Sequence, residues 1–312
     1  MKIVYAGTPE FAVLPLQKIL EKGYEVAGVI AQPDRPQGRK GILTPPPVKS
    51  FALEKGLSVF QPEKIRNELE GVRALGGDVM ITCAYGQILT QDVLDLFPKG
   101  VWNIHAGLLP QYRGASPIQS CVLNGETRTG VTVMKTELGL DTGDMLLVRT
   151  LDIGTEETFG ELSARLSALG AECIADALAL IEKGEITLIP QGEAEVVLTR
   201  KIGKENAKIN FSLPVGKILD LVRGMNPEPV AFAVLDGAKF NVFRAESAEL
   251  SDGEEDAAAG EILSDSPKRG FVVKCGGGAV RLTEVQAAGG KRMRGNDFLN
   301  GRKVKKGQVF SC

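Results

Sequence analysis

The sequence of 312 residues is poor in the residue types that bind transition metals. It contains one histidine, His105, and its five cysteines are scattered without a Cys-x-x-Cys pair. Zinc sites need several such ligands at short spacings, so we expect no metal centre. The odd number of cysteines also argues against a disulfide framework and favours a reducing compartment, the cytoplasm.

Long apolar runs are missing as well. The apolar stretches are short and are interrupted by glycine, proline or charge, which argues against a membrane span and against a secretory signal peptide. Hydrophobic residues make up 43% and charged residues 24% of the chain, values typical of soluble globular proteins. A chain of this length is long enough for two domains with separate cores.

The net charge of −2 gives little reason to expect a nucleic-acid partner. The charge is unevenly distributed, however, because the segment 268–312 holds eleven basic and only two acidic residues. A basic segment on a mildly acidic protein indicates either a local polyanion site or a solvated surface. Composition leaves both interpretations open.

Short apolar runs alternate with helical patterns in the first half of the chain. This spacing predicts α/β architecture with a Rossmann-like, mostly parallel sheet and right-handed crossovers. The predicted strands are Lys2–Ala6, Glu25–Ala31, Leu57–Phe60, Asp78–Ala84, Val101–His105, Gly130–Lys135 and Met145–Thr150. The predicted helices are Phe11–Lys22, Val48–Glu54 and Thr158–Lys183.

The second half has a different pattern. A polar, weakly periodic segment at 187–208 predicts a linker between a first domain at 1–186 and a second at 209–312. One helix and a series of short strands with glycine-rich turns favour a small OB-like β-barrel in the second domain. These elements are Val215–Arg223, then Val230–Val234, Lys239–Ala245, Gly260–Leu263, Phe271–Cys275 and Ala279–Val285, with a solvated acidic loop expected at Glu246–Asp256.

The first strand ends in Ala6-Gly7-Thr8-Pro9-Glu10. A dinucleotide-binding sheet would have Gly-x-Gly-x-x-Gly at this turn, and only one of the three glycines is present. The sequence therefore lacks the phosphate cradle of an NAD or FAD site.

His105 ends a predicted strand, two residues after Asn103. A lone histidine is more often structural than catalytic. Residues two apart on a strand share a face, however, and ligand sites in open α/β sheets lie beyond the carboxyl ends of the strands. An amide and an imidazole placed there side by side can stabilise one developing oxyanion.

Two glycine-containing turns follow. Gly107-Leu108-Leu109-Pro110 is either the wall of a pocket or a loop that only packs. The segment 139–144 carries Asp141 and Asp144, which could in principle bind a cation. With one histidine and no third nearby carboxylate, we expect no metal there but a turn that presents one carboxylate to a pocket.

Asn103-Ile104-His105, followed by Leu108–Gly114 and by Asp141, resembles the folate-dependent formyltransferases. The resemblance extends over nearly the whole chain and includes 6–9, 32–36 and 84–86. The Asn-x-His…Asp set is highly specific to this family, while Gln32-Pro33-Asp34-Arg35-Pro36 points to members that formylate a tRNA. Gly107 is a departure, because the family usually has serine there, and a contact made by that hydroxyl is lost.

The resemblance implies transfer of the formyl group of 10-formyltetrahydrofolate to the amine of methionyl initiator tRNA. Asn103 and His105 would hold the oxyanion, and Asp141 would orient His105 and help to take the amine proton. The folate-binding residues implied are Tyr85, Gly86, Ile88, Gly107, Leu108, Leu109 and Pro110.

A basic, glycine-punctuated loop follows the second strand and is longer than a βα turn needs. It contains Arg35, Arg39 and Lys40. On the resemblance, this loop would hold the acceptor stem of the tRNA through its phosphates, and the basic barrel would hold the rest. The alternative is a flexible surface loop.

Three other functions compete. Two are enzymes of the same family: a formyltransferase for a phosphoribosyl-glycinamide or an amino sugar, and a formyl-folate hydrolase. The third is an RNA-binding barrel fused to a catalytically silent α/β domain. A basic loop and a basic second domain argue against the two enzymes, and the intact Asn103, His105 and Asp141 argue against the third. No membrane association and no obligate protein partner are implied.

Overall fold

The computed structural model describes residues 1–38, 41–192, 196–301 and 304–311, and the statements below concern these residues. They form two compact units. The first unit comprises Met1–Pro117, Arg128–Asp152 and Ser163–Arg200, and the second comprises Ile118–Thr127, Ile153–Leu162 and Lys201–Cys312. Within the described ranges no helix combines the length and the hydrophobicity needed to cross a membrane.

The elements of the first half confirm the predicted alternation of strands and helices. The strands are β1 (Lys2–Gly7), β2 (Glu25–Ile30), β3 (Arg35–Gln37), β4 (Ile42–Thr44), β5 (Val59–Phe60), β6 (Val79–Cys83), β7 (Val101–His105), β8 (Arg113–Gly114), β9 (Arg128–Lys135) and β10 (Met145–Asp152). The helices are α1 (Val13–Glu21), α2 (Pro47–Glu54), α3 (Leu69–Ala74), α4 (Gln91–Leu94), α5 (Pro117–Asn124) and α6 (Phe159–Lys183).

Seven strands form the central sheet of the first unit, in the order β10-β9-β7-β6-β1-β2-β5. The five from β7 to β5 are parallel, whereas β9 runs antiparallel to β7 and to β10. All five residues of β6 are buried, as are five of the six in β1. Continuous buried runs of this kind are what a parallel sheet covered on both faces requires. The predicted fold class is confirmed.

Three features depart from the expected pattern. The basic segment after β2 is a short antiparallel hairpin of β3 and β4, where a loop was expected. Helices α3, α4 and α5 were not predicted, and α3 and α4, of six and four residues, are too short for their periodicity to stand out from the sequence. Strand β11 (Leu198–Thr199) lies inside the segment interpreted as a linker and pairs with β8.

The second unit contains the five predicted strands and the predicted helix, and also a short sixth strand and a second helix that were not predicted. All the strands pair antiparallel. They are β12 (Ala231–Leu235), β13 (Ala238–Ala248), β14 (Ile262–Ser264), β15 (Val272–Cys275), β16 (Gly278–Ala287) and β17 (Met293–Arg294), with helices α7 (Val215–Gly224) and α8 (Gly295–Asn300). The sheet order is β12-β13-β16-β15-β14, and β17 pairs with β16. Its core includes a cluster of five aromatic rings, those of Phe211, Phe240, Phe271, Phe298 and Phe310.

The acidic stretch in this unit is only partly solvated. Glu246 lies within β13, and Glu254 is buried and paired with the guanidinium of Arg269. Hydrogen bonds from Arg269 lower the pKa of Glu254 to about 2. The stretch is therefore anchored to the unit by ion pairs, of Glu254 with Arg269 and Lys306 and of Glu246 with Arg281.

Candidate active site

Strand β7 places Asn103 and His105 at its carboxyl end, between β6 and β9. Thr82 of β6 lies opposite Asn103, and Thr132 of β9 lies opposite His105. Both threonines are buried. The site is thus built where the parallel part of the sheet meets its antiparallel edge.

The amide of Asn103 is held from one side. The Thr82 hydroxyl donates a hydrogen bond of 2.9 Å to Oδ1 of Asn103. Because that bond engages the amide oxygen, the NH2 group is the part of the side chain left to donate to a ligand. Asn103 as a whole is half-buried.

The imidazole of His105 is only 4% exposed and faces two oxygens. Nε2 lies 3.1 Å from the carbonyl oxygen of Tyr112, and Nδ1 lies 3.6 Å from Oδ2 of Asp141. A carbonyl can only accept, so Nε2 carries the proton of the neutral ring and Nδ1 presents its lone pair to the carboxylate. Burial lowers the pKa of His105, and the charge of Asp141 and the Tyr112 carbonyl act in the opposite direction.

Asp141 reaches His105 from a tight turn between β9 and β10. Its own φ is +52°, in the left-handed region. A Cβ at Gly143 would lie 1.9 Å from the carbonyl oxygen of Lys135, so the turn needs glycine there. The carboxylate also accepts a hydrogen bond of 2.8 Å at Oδ2 from the backbone N–H of Gly114.

The segment 107–110 is tied to the sheet by Thr132. The Thr132 hydroxyl donates to the Gly107 carbonyl at 2.8 Å and accepts from the Leu109 N–H at 3.4 Å. Leu109 is buried, while Leu108 and Pro110 are half-buried. A Cβ at Gly107 would lie 3.0 Å from Nε2 of His105, so a side chain there would press on the ring.

The segment after β6 lies beside the first two βα turns. The Tyr85 carbonyl accepts hydrogen bonds from the Thr8 hydroxyl at 2.9 Å and from Nε2 of Gln32 at 3.2 Å. The Tyr85 ring is buried in the core, and burial raises the pKa of its hydroxyl. Gly86 has a φ of +86°, and Ile88 is 83% exposed. Of the predicted folate-binding residues here, Ile88 is the side chain that is available to a ligand.

Of the three predicted tRNA-binding residues, the structure describes Arg35. Arg35 lies on the hairpin and pairs with Glu63 at 3.0 Å, with both side chains exposed. Arg39 and Lys40 lie outside the described residues.

The basic segment of the second unit borders a surface cavity of about 360 Å³. Its lining includes four basic residues, Lys268, Arg269, Arg281 and Arg294, and one acidic residue, Glu246. Arg292 is committed elsewhere, because it forms two hydrogen bonds to Glu284 and lies over the Phe243 ring. Two of the cavity-lining cations are paired as well, Arg269 with Glu254 and Arg281 with Glu246.

Four residues of the site give no recognisable signal in the sequence: Thr82, Thr132, Gln191 and Thr199. Thr82 and Thr132 sit in strands whose apolar pattern is the prominent feature, and their roles follow from strand register. Gln191 and Thr199 lie in the segment interpreted as a linker, yet both contact the loops around Asp141 and Arg113. In the described part of the chain no group of three His, Cys, Asp or Glu residues could hold a metal ion.

Two family models match the chain. Residues 1–178 match the model described as Formyl transferase, and residues 201–303 match that described as Formyl transferase, C-terminal domain. The chain is 43% identical to the methionyl-tRNA formyltransferase of Ruminiclostridium cellulolyticum over 310 residues, 99% of each chain. It is 42% identical to that of Agathobacter rectalis over 313 residues, 100% of each.

Solved structures share the fold at lower identity. HypX from Aquifex aeolicus, in complex with tetrahydrofolic acid, has a TM-score of 0.66 and 17% identity. The similarity covers 100% of this chain and 51% of HypX. At this identity the likeness concerns the fold alone.

Proposed function

The chain belongs to the methionyl-tRNA formyltransferase family, and from this premise we propose that Asn103, His105 and Asp141 transfer the formyl group of 10-formyltetrahydrofolate to methionyl initiator tRNA. The observation that supports this assignment is their meeting at the carboxyl end of β7. Asp141 lies 36 residues after His105 in the sequence, yet its carboxylate faces the imidazole. We assign the reaction to the cytoplasm and assign no role to a metal.

The reaction begins when the α-amine of the methionyl group attacks the formyl carbon. A free α-amine has a pKa of about 8, so a substantial fraction is nucleophilic near neutral pH. A new C–N bond forms, and the electron pair of the carbonyl moves to the formyl oxygen. The NH2 group of Asn103, oriented by Thr82, donates to that oxyanion.

The proton of the attacking amine then goes to Nδ1 of His105. This nitrogen carries the lone pair in the tautomer set by the Tyr112 carbonyl. Protonation converts its 3.6 Å approach to Asp141 into an attraction between opposite charges. The charged ring also stabilises the nearby oxyanion. When the intermediate collapses, the bond to the folate nitrogen breaks and that nitrogen takes the proton.

We place the folate donor against the segments 85–88 and 107–110 and the turn around Asp141. The exposed Ile88 offers an apolar contact for its ring system. Gly107 has no side chain, so any contact there is made by the backbone. The carbonyl of Gly107 is already engaged by Thr132, which fixes the shape of this wall.

We place the tRNA on the hairpin of β3 and β4 and on the basic cavity of the second unit. Both are cationic, as a phosphate backbone requires. The Arg35–Glu63 pair is exposed and contributes little to stability, so Arg35 can exchange its partner for a phosphate.

The experiment that tests this function incubates the chain with 10-formyltetrahydrofolate and charged initiator tRNA. Formylmethionine is scored after deacylation, and formate is measured in parallel. We expect formylmethionine and tetrahydrofolate in equal amounts. Formate without formylmethionine would identify a hydrolase, and transfer to an amino sugar or a glycinamide ribonucleotide in place of the tRNA would identify a small-substrate enzyme.

A further inference from the structure

We propose that Gln191 is a positioning residue that fixes the Asp141 carboxylate opposite His105. This inference rests on the roles proposed above for Asp141 and His105. Gln191 follows helix α6 and is half-buried. Its Nε2 donates to two carbonyl oxygens of the Asp141 turn, that of Asp141 at 2.9 Å and that of Gly143 at 2.7 Å.

The other end of the same amide is bound as well. Oε1 of Gln191 accepts two hydrogen bonds from the Arg113 guanidinium, from Nε at 3.0 Å and from Nη2 at 2.7 Å. The next residue, Gly114, donates its backbone N–H to Oδ2 of Asp141. These hydrogen bonds, with the peptide bond between Arg113 and Gly114, close a ring. Its members are Asp141, Gly114, Arg113 and Gln191. Asp141 is held in this ring at both its carbonyl and its carboxylate.

The ring is tied to the segment between α6 and the end of β11, which carries Gln191 and which we call the strap; its described residues are 184–192 and 196–199. Strand β11 pairs with β8, which contains Arg113 and Gly114. The Thr199 hydroxyl donates to the Arg113 carbonyl at 3.1 Å and accepts from the Ser116 N–H at 3.3 Å. Upstream, Ile189 forms a β-bridge with Met145. The chain is thus anchored at Ile189 and at Leu198–Thr199, on either side of Gln191.

An amide meets these demands better than a carboxylate. The side chain must donate twice on one end and accept on the other, and a primary amide has this arrangement of two N–H donors and one carbonyl. Glutamate would still pair with Arg113 but would direct a negative oxygen at two carbonyls. Gln191→Glu is therefore a nearly isosteric variant that keeps one half of the ring and breaks the other.

The position of the Asp141 carboxylate, 3.6 Å from Nδ1 of His105, matters for the reaction. The attraction between a carboxylate and a protonated imidazole depends on their separation, and a displacement of about 1 Å can cost on the order of 100-fold in rate. Gln191→Ala and Gln191→Glu should lower kcat by about 10- to 100-fold, while the KM for the folate donor changes by a smaller factor. Gln17→Ala, which removes an exposed amide paired with Glu21 on α1, is the matched control and should leave both parameters unchanged.

The decisive readout is the titration of His105 by NMR, which needs no assignment because the chain has one histidine. If Gln191 holds Asp141 in place, the pKa of His105 should fall in Gln191→Ala, whereas in Gln191→Glu the added negative charge opposes that fall. Gln191→Ala should lower the pKa no further when added to Asp141→Asn, because a residue that acts through Asp141 has no effect in its absence. A purely structural role for Gln191 would instead lower the thermal midpoint and leave the histidine titration of the folded protein unchanged.

The outcomes separate the two proposals. If Asp141→Asn alone leaves kcat unchanged, the proposed catalytic roles are wrong, whatever Gln191 does. If Asp141→Asn lowers kcat but both Gln191 variants keep wild-type kcat and the wild-type histidine pKa, the positioning role is wrong. Additive effects of Gln191→Ala and Asp141→Asn on kcat also overturn it, because a residue that acts through Asp141 has no effect in its absence.

Discussion

Nδ1 of His105 lies 3.6 Å from Oδ2 of Asp141, while Nε2 of the same ring lies 3.1 Å from the carbonyl oxygen of Tyr112. The first distance is too long for a hydrogen bond, and in the neutral ring both facing atoms are acceptors. The arrangement becomes favourable only when Nδ1 gains a proton. The pair is therefore built for the protonated intermediate more than for the resting site.

We expect His105 to titrate below the ordinary pKa of about 6.5, because burial disfavours its charged form. Asp141→Asn should lower that pKa further, since it removes the one charge that raises it. Carbon- and nitrogen-detected NMR of the single histidine measures both the pKa and the tautomer. A pKa above 6.5, or a ring protonated at Nδ1 when neutral, would contradict this description.

The same pKa has a consequence for stability. Between the folded pKa of His105 and about 6.5, the unfolded chain binds the proton and the folded chain does not, so the free energy of unfolding falls as the pH drops through that window. Above it the histidine makes no pH-dependent contribution. Denaturant unfolding of wild type and His105→Gln between pH 5 and 8 should show a shallower acid-side decline in the variant. Parallel curves would show that His105 does not carry this dependence.

Asn103→Ala should reduce turnover by about 100- to 1000-fold, as loss of an oxyanion donor typically does. Thr82→Val should give a smaller loss, on the order of 10-fold, because Asn103 remains but its amide is free to rotate. Thr150→Val, at an exposed threonine of β10, is the control. Single-turnover formylation at saturating folate measures all three. Equal rates for Thr82→Val and the control would remove Thr82 from the mechanism.

Asp141→Asn should lower the rate sharply, whereas Asp144→Asn should have little effect. The two carboxylates lie in one turn, but it is Asp141 that faces His105. Steady-state kinetics of the two variants with charged initiator tRNA make the comparison. A damaging Asp144→Asn beside a harmless Asp141→Asn would mean that the wrong carboxylate has been assigned.

Affinity for tRNA should fall steeply with salt if the hairpin and the basic cavity bind phosphates. Lys268→Ala and Arg294→Ala, at the cavity, should each reduce the slope of log affinity against log salt by about one. Arg292→Ala should change the slope less, because that guanidinium is paired with Glu284. Filter binding from low to high salt gives the slopes. Salt-independent affinity would identify the basic segment as a solvated surface.

Neutralising Arg39 and Lys40 together should lower turnover with tRNA as well as affinity, if the basic segment after β2 positions the acceptor end for reaction. Folate binding should be unaffected, because the segments proposed for folate do not include these residues. Fluorescence titration with a folate and formylation kinetics with tRNA separate the two effects. Equal loss of folate binding would place these residues in the donor site.

The sequence by itself determined the strongly periodic elements. Strand β7 was predicted at Val101–His105 and helix α6 within one residue of its observed start, because a buried strand and a long amphipathic helix carry their pattern locally. Asn103 and His105 were singled out by their place at the end of β7, and the resemblance chose Asp141 and gave the three residues their roles.

Only the tertiary structure decided what surrounds these residues. Thr82 is 21 residues from Asn103, and Gln191 is 50 residues from Asp141, so no local pattern connects them. Strand register sets the first contact, and the path of the strap after α6 sets the second. The polar segment 187–208 has the composition of a linker. Its composition would be the same whether or not its side chains made hydrogen bonds to the site, as those of Gln191 and Thr199 do. Hydrogen bonds between residues far apart in the chain depend on which strands become neighbours, and periodicity carries no information about that choice.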